Sequence, residues 1–176
     1  MSGDVDQAVF RSVMARFATG VTVVTADEDG EPVGFTCQSF VSLSLEPPFV
    51  ALAPAKSSTS WPRIARAGSF CVNVLAEHQR AVCERFARSG GDKFSGVAWR
   101  PASVGGAPVL EGSLAWVACG LELVHDAGDH ELVIGRVLDL GTGHGAPLVF
   151  YDRHFGTFAE RGQGWAPTGA FDTDGG

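Results

Sequence analysis

The sequence predicts a mainly β fold of the α+β class, a closed or partly closed antiparallel barrel with two or three short flanking helices. Three observations predict it. About seven short runs rich in β-branched or aromatic residues are spread along the chain and bounded by turn residues. Helical periodicity appears only near the start and in the middle. Glycine is abundant, at 23 of 176 residues, and only 19% of residues are charged, which suits many tight turns.

The elements follow in order. Asp6 caps a helix that carries Val9, Phe10, Val13, Met14 and Phe17 on one side, and Gly20 ends it. Val21 to Thr25, the turn Asp27-Glu28-Asp29-Gly30 and Pro32 to Thr36 form a hairpin. Further strands are predicted over Phe40 to Leu45, Phe49 to Ala53 and Phe70 to Leu75. A helix over Ser58 to Ala67 places Pro62 in its first turn, where proline is tolerated. A second middle helix, from about Glu77 to Arg88, brings Val82, Cys83 and Phe86 onto one face. After Pro101 the chain returns to β character. Leu114 to Val124, the turn His125 to Asp129, and His130 to Leu140 make a long hairpin. Leu148 to Tyr151 is a last strand with Phe155 and Phe158 packed behind it. The segment from Gly162 onward lacks periodicity and is expected to be a flexible tail, leaving one domain over residues 1–161.

Composition excludes several classes. The formal charge of −7 lacks the basic face that nucleic acid requires, and the cluster Arg80, Arg85, Arg88, Lys93, Arg100 is interrupted by acidic residues. The apolar runs are too short to span a bilayer. The acidic N-terminus lacks the order of a secretion signal, so a cytoplasmic protein is expected. Cys37, Cys71, Cys83 and Cys119 form no C-x-x-C pair and sit mostly among small or apolar neighbours, so neither a metal site nor a disulfide framework is expected. No P-loop, G-x-S-x-G elbow or strand-linked G-x-G-x-x-G occurs; a nicotinamide, if used, is not held by a Rossmann unit.

Three segments interrupt this apolar pattern with polar groups. In Gly34 to Pro48, the side chains of Thr36, Gln38, Ser39, Ser42 and Ser44 offer uncharged donors and acceptors. They suit the carbonyl and N–H edge of a flat ring such as isoalloxazine, or a half-exposed strand with its polar face in water. Ser57-Ser58-Thr59, with Lys56 beside them, lead into a helix start and suit either a phosphate or plain capping by Ser58 or Thr59. His130, next to the turn Ala127-Gly128-Asp129, could orient a nicotinamide or simply lie exposed. Hydride transfer needs the protein to position two rings rather than to supply an acid or base.

Taken together, these segments resemble the flavin reductase domain family from about Phe10 to Phe158. The block Gly34-Phe35-Thr36-Cys37-Gln38-Ser39-Phe40-Val41-Ser42-Leu43-Ser44-Leu45-Glu46-Pro47-Pro48 is similar to the family's G-x-T-x-x-S-F-x-S-x-S-L-x-P-P signature at every fixed position. Phe17 to Thr25 precede it. Ser57-Ser58-Thr59, Gly68 to Leu75, Asp92-Lys93-Phe94 and Gly128-Asp129-His130 follow in the family's order. The resemblance implies an antiparallel split β-barrel of Greek-key type. It implies that Thr36, Cys37, Gln38, Ser39 and Phe40 line the flavin ring, with most contacts from backbone amides. Ala53, Ser57, Ser58 and Thr59 would sit by the ribityl chain and phosphate, Lys93 and Phe94 would approach the flavin, and His130 would lie near the nicotinamide. Tyr151, the only tyrosine, would lie near the pocket.

The same resemblance implies a homodimer with flavin sites near the subunit interface. The apolar side of the first helix suits either the core or that contact. The implied activity is an NAD(P)H:flavin oxidoreductase that passes hydride from NADH or NADPH to FMN or FAD. The reduced flavin would then go to a separate oxygenase. Two alternatives keep the barrel: a flavin-holding oxidoreductase with its own small substrate, and a non-catalytic flavin or haem module.

Overall fold

The structure, a computed structural model, describes residues 5–158; the expected tail and the last residues of the expected domain lie outside the described residues. Helix α1 (Gln7–Met14) begins where Asp6 predicts it. The Asp6 carboxylate accepts from Ala8 N at 2.8 Å and Val9 N at 2.9 Å, satisfying two of the free N–H groups of the first turn. It ends well before Gly20, because Thr19–Gly20 is drawn off as a short strand, β1, against β11 (Leu148–Tyr151).

Seven strands form the main sheet: β2 (Thr22–Glu28), β3 (Glu31–Cys37), β4 (Val41–Leu45), β5 (Pro48–Leu52), β6 (Ser69–Val74), β9 (Ala115–Ala127) and β10 (His130–Thr142), in the order β3-β2-β6-β9-β10-β5-β4. Every pairing is antiparallel. The β2–β3 turn is shorter than predicted. Only Asp29 (φ 54°) and Gly30 (φ 85°) lie between the paired Glu28 and Glu31, the two-residue geometry that matches strand twist. The long hairpin is also tighter, with Ala127 paired to His130 across Gly128-Asp129.

The sheet edges explain the barrel. β3 and β4 are the two outermost strands, and flat they would stand about 29 Å apart, six strand spacings. Only Gln38, Ser39 and Phe40 join them, a link that reaches at most about 14 Å. The sheet must curl until its edges approach, yet β3 and β4 do not pair. The result is a split barrel rather than a closed one.

Between β5 and β6 lies α2 (Trp61–Ala67), and after a 3₁₀ turn at Glu77–Gln79 comes α3 (Arg80–Phe86), shorter than the predicted 77–88 helix. Besides β1, three strands were not separately predicted: the small hairpin β7 (Trp99–Pro101) and β8 (Pro108–Leu110), and β12 (His154–Thr157), which pairs with β11. Phe155 therefore meets Phe150 edge-on within that ribbon, while Phe158, expected to be packed, is 65% exposed.

One core cluster fills the barrel with Val24, Leu52, Ile64, Phe70, Val72 and Val133; a second packs Val21, Val23, Leu75, Phe86 and Leu110 under α3. All four cysteines are buried and unpaired. No helix among the described residues is long and apolar enough to cross a membrane.

Candidate active site

The site forms where the barrel is split. The link Gln38-Ser39-Phe40 is anchored by the Ser39 hydroxyl, which accepts from Ala53 N at 2.8 Å and donates to Ala53 O at 3.2 Å. Cys37 Sγ lies 3.3 Å from the same oxygen, and burial pushes its thiol pKa up. On the other side of β3, α3 packs directly on the strand. A Cβ at Gly34 would stand 2.9 Å from the Phe86 ring and from Val24 O, so glycine permits this approach. Thr36 Oγ1 donates to Cys83 O at 2.7 Å and ties the helix down.

The loop between β5 and α2 is stitched to the tip of the β9–β10 hairpin. Lys56 N donates to Asp129 O and Glu131 N to Pro54 O, both at 3.0 Å. The Lys56 ammonium pairs with Asp126 and holds that carboxyl below its usual range. The indole N–H of Trp61, a residue 3% exposed, donates to the Glu131 carboxylate. His130 is thereby fixed beside Ala55, with its Nδ1 2.8 Å from Asp129 Oδ1. The N-cap of α2 is Ser60, one to two residues after the predicted caps. Ser58 nevertheless contributes, its Oγ accepting from Trp61 N at 3.1 Å.

These elements enclose a cleft of about 960 Å³. Thr36, Cys37, Gln38, Ser39, Ala53, Ser57, Ser58, Thr59, Lys93 and His130 all line it. Phe40 and Phe94 do not. Phe40 lines the neighbouring groove along α1, and Phe94 turns into the second core with its ring 4.9 Å from Phe86. Tyr151 is also outside the cleft, 46% exposed, because alternation along β11 sends Phe150 inward instead. Sequence reasoning missed Phe10, Phe35, Phe86, Phe150 and Phe155, which give the cleft its apolar walls, and Arg88, which it placed only in the interrupted basic cluster. Arg88 follows Phe86 by two residues at the end of α3, and only the docking of that helix on β3 reveals its position.

The polar equipment is of two kinds. Lys93 is almost fully buried, and its ammonium donates to Gly34 O at 3.0 Å and to Ser60 Oγ and Phe86 O at 3.3 Å. Desolvation lowers its pKa, since each of these partners is neutral. By contrast, no hydrogen bond within the described residues engages the side chains of Gln38, Ser57 or Thr59. A cleft with aromatic walls, unengaged hydroxyl and amide groups and a nearby cation fits a flat heteroaromatic ring that carries a phosphorylated chain.

A model of the flavin reductase like domain matches residues 14–159. The chain belongs to this family. Among flavin reductase relatives, the reductase subunit HsaB of a flavin-dependent monooxygenase from Rhodococcus jostii is 51% identical over 148 residues, or 84% of this chain and 75% of its own. Nitrilotriacetate monooxygenase component B from Mycobacterium thermoresistibile superposes with a TM-score of 0.86 at 43% identity, covering 96% of this chain and 98% of that one. The NADH:FAD oxidoreductase SgcE6 of Streptomyces globisporus, solved with NAD and FAD fragments, gives 0.83 at 33% identity over 88% and 93% of the two chains.

Proposed function

We propose that this chain is an NAD(P)H-dependent flavin reductase that hands reduced FMN or FAD to a separate flavin-dependent oxygenase. The cleft carries the reading, because it gathers segments far apart in sequence into one aromatic-walled, hydroxyl-lined space of flavin size. The chemistry belongs to the two rings: hydride leaves the reduced nicotinamide and is taken up at the flavin N5. The protein binds, orients and excludes water.

In this assignment Thr36, Cys37, Gln38 and Ser39 edge the flavin ring through backbone amides and the Gln38 side chain. Ala53, Ser57, Ser58 and Thr59 follow the ribityl chain to its phosphate, with Lys93 buried behind them. Phe40 and Phe94 act one layer back, holding the link and α3 in place. His130, steadied by Asp129 and by the Trp61–Glu131 bond, faces the nicotinamide.

The same reading takes residues 1–161 as one reductase domain and makes the chain a homodimer. Every residue of α1 is exposed or nearly so, including Val9, Phe10, Val13 and Met14, and the groove beside it shares Phe10, Gln38, Ser39 and Phe150 with the cleft. Aspartate at both Val13 and Phe17 should give a monomer by light scattering; an unchanged mass would move the contact elsewhere. Four unpaired thiols support a reducing compartment, the cytoplasm.

The deciding experiment follows oxidation of NADH or NADPH with FMN, FAD or riboflavin added to the purified protein. Turnover that scales with added flavin supports the reductase. Flavin binding without nicotinamide oxidation would replace it with a carrier. Turnover only on another acceptor, with flavin retained, would replace it with an enzyme acting on its own substrate.

A further inference from the structure

The cleft treats charge differently from the rest of the molecule. The chain carries a formal charge of −7, yet no aspartate or glutamate is among the described residues that line the cleft. Besides His130, its lining holds two cationic side chains, Lys93 and Arg88. Lys93 is spent, because its buried ammonium already donates to Gly34 O, Ser60 Oγ and Phe86 O. Arg88 is exposed and has no hydrogen bond or ion pair among the described residues. Most other arginines are engaged, Arg63 and Arg66 by Glu28, Arg80 by Glu84 and Arg136 by Glu122.

The fold brings this guanidinium to the hydroxyl loop. Phe86 O and Ser60 Oγ both lie 3.3 Å from the same Lys93 nitrogen, which rivets the last turn of α3 to the N-cap of α2. Arg88 comes just after Phe86, and Ser57, Ser58 and Thr59 come just before Ser60. The two segments therefore meet at one end of the cleft. The hydroxyls there can direct a phosphate but carry no charge, and Arg88 supplies one in the open. An exposed cation acts mainly on the rate at which an anion arrives, through a field that salt screens. How long the anion stays depends more on buried contacts.

We propose that Arg88 is the electrostatic landing point for the 5′-phosphate of the incoming flavin. It draws the anion into the cleft against the negative charge of the whole chain, and the hydroxyls of Ser57, Ser58 and Thr59 then take the phosphate. The proposal rests on the reductase reading, which puts the flavin phosphate beside that loop. It also gives the site a kinetic character. With its buried cation spent on protein oxygens and its open cation screened by salt, the cleft admits phosphorylated flavin quickly without holding it tightly. A flavin that arrives as substrate and departs as product needs that balance. Riboflavin, which has no phosphate, gains nothing from Arg88.

The test is stopped-flow quenching of flavin fluorescence on mixing FMN or riboflavin with the full chain. Salt is varied between about 0.01 M and 0.15 M, over which the screening length falls from about 30 Å to about 8 Å. Arg88→Gln should lower the association rate constant of FMN about fivefold at the lower salt and flatten its salt dependence, with the dissociation rate changed less than about twofold. Arg88→Lys keeps the charge and should keep the FMN association rate within about twofold of the wild type. Riboflavin should associate at the wild-type rate in both variants. An FMN rate and salt dependence untouched by Arg88→Gln would overturn the proposal, and so would FMN and riboflavin slowed together in both variants, the mark of a displaced helix end. A raised KM for NADH with FMN association unchanged would move Arg88 to the phosphates of the nicotinamide and overturn it too. Failure of both flavins to bind the wild type would overturn the reductase reading as well.

Discussion

Two sets of polar side chains interrupt the apolar strands, and they have opposite fates. In the barrel wall, Asn73 is fully buried. Its amide donates to Val23 O, Thr25 Oγ1 and Pro108 O at 3.2 Å, and its oxygen accepts from Leu110 N at 2.8 Å. Thr25 in turn donates to Pro108 O, and Thr22 to Cys37 O at 2.7 Å. Every group has its partner, so this set is a staple that fixes β8 across β2 and β6. At the split, Gln38, Ser57 and Thr59 have no such partners among the described residues, while Thr36 and Ser39 use theirs to shape the walls. A hydroxyl in an apolar strand becomes structure where neighbouring strands surround it, and becomes a site where the sheet opens.

The sharpest way to break this comparison is Asn73→Leu. It strands Leu110 N and takes a donor from Val23 O, Thr25 Oγ1 and Pro108 O, and should cost about 3 kcal/mol in urea unfolding. A loss below about 1 kcal/mol would show that the network is not a staple. The opposite behaviour is expected of Ser57→Ala combined with Ser58→Ala. FMN should bind about tenfold more weakly while riboflavin is unaffected, with stability changed by no more than about 1 kcal/mol for the lost Ser58 contact. Equal losses for FMN and riboflavin would remove the phosphate from this loop. The smallest effect belongs to His130→Ala, which loses one ring contact and should raise the KM for reduced nicotinamide about threefold, leaving flavin Kd unchanged. Unchanged kinetics at limiting nicotinamide would take His130 out of the site.

Much of the site was legible because its residues come in short contiguous blocks. Thr36 to Ser39 lie on one strand end and its link, and Ser57 to Thr59 on one loop, so a local pattern names them together. The aromatic walls were not legible. Phe10, Phe86, Phe150 and Phe155 carry the same periodicity as any core residue, and nothing local says that they face a cleft. Tyr151 was placed near the pocket where Phe150 lines the cleft, because the facing of a strand depends on its register with β1 and β12, which sequence alone leaves free. Phe94 was named with Lys93 because Asp92-Lys93-Phe94 resembles a family segment; its ring packs against Phe86 and Trp99.

By itself the sequence determined the kind and order of the longer elements, though not β1, the β7–β8 hairpin or β12. The Asp6 cap, the Asp29-Gly30 turn, the proline in the first turn of α2 and the β-branched runs act through contacts a few residues long, and these hold in almost any tertiary setting. The tertiary structure decided what such elements enclose. The three-residue link between β3 and β4 forces the two sheet edges together, and that closure creates the cleft. Lys93 then reaches Gly34, 59 positions away, and Trp61 reaches Glu131, 70 positions away, across it. Those pairings depend on how strands are ordered in the sheet, a choice made by burial of the whole core and not by any segment within it.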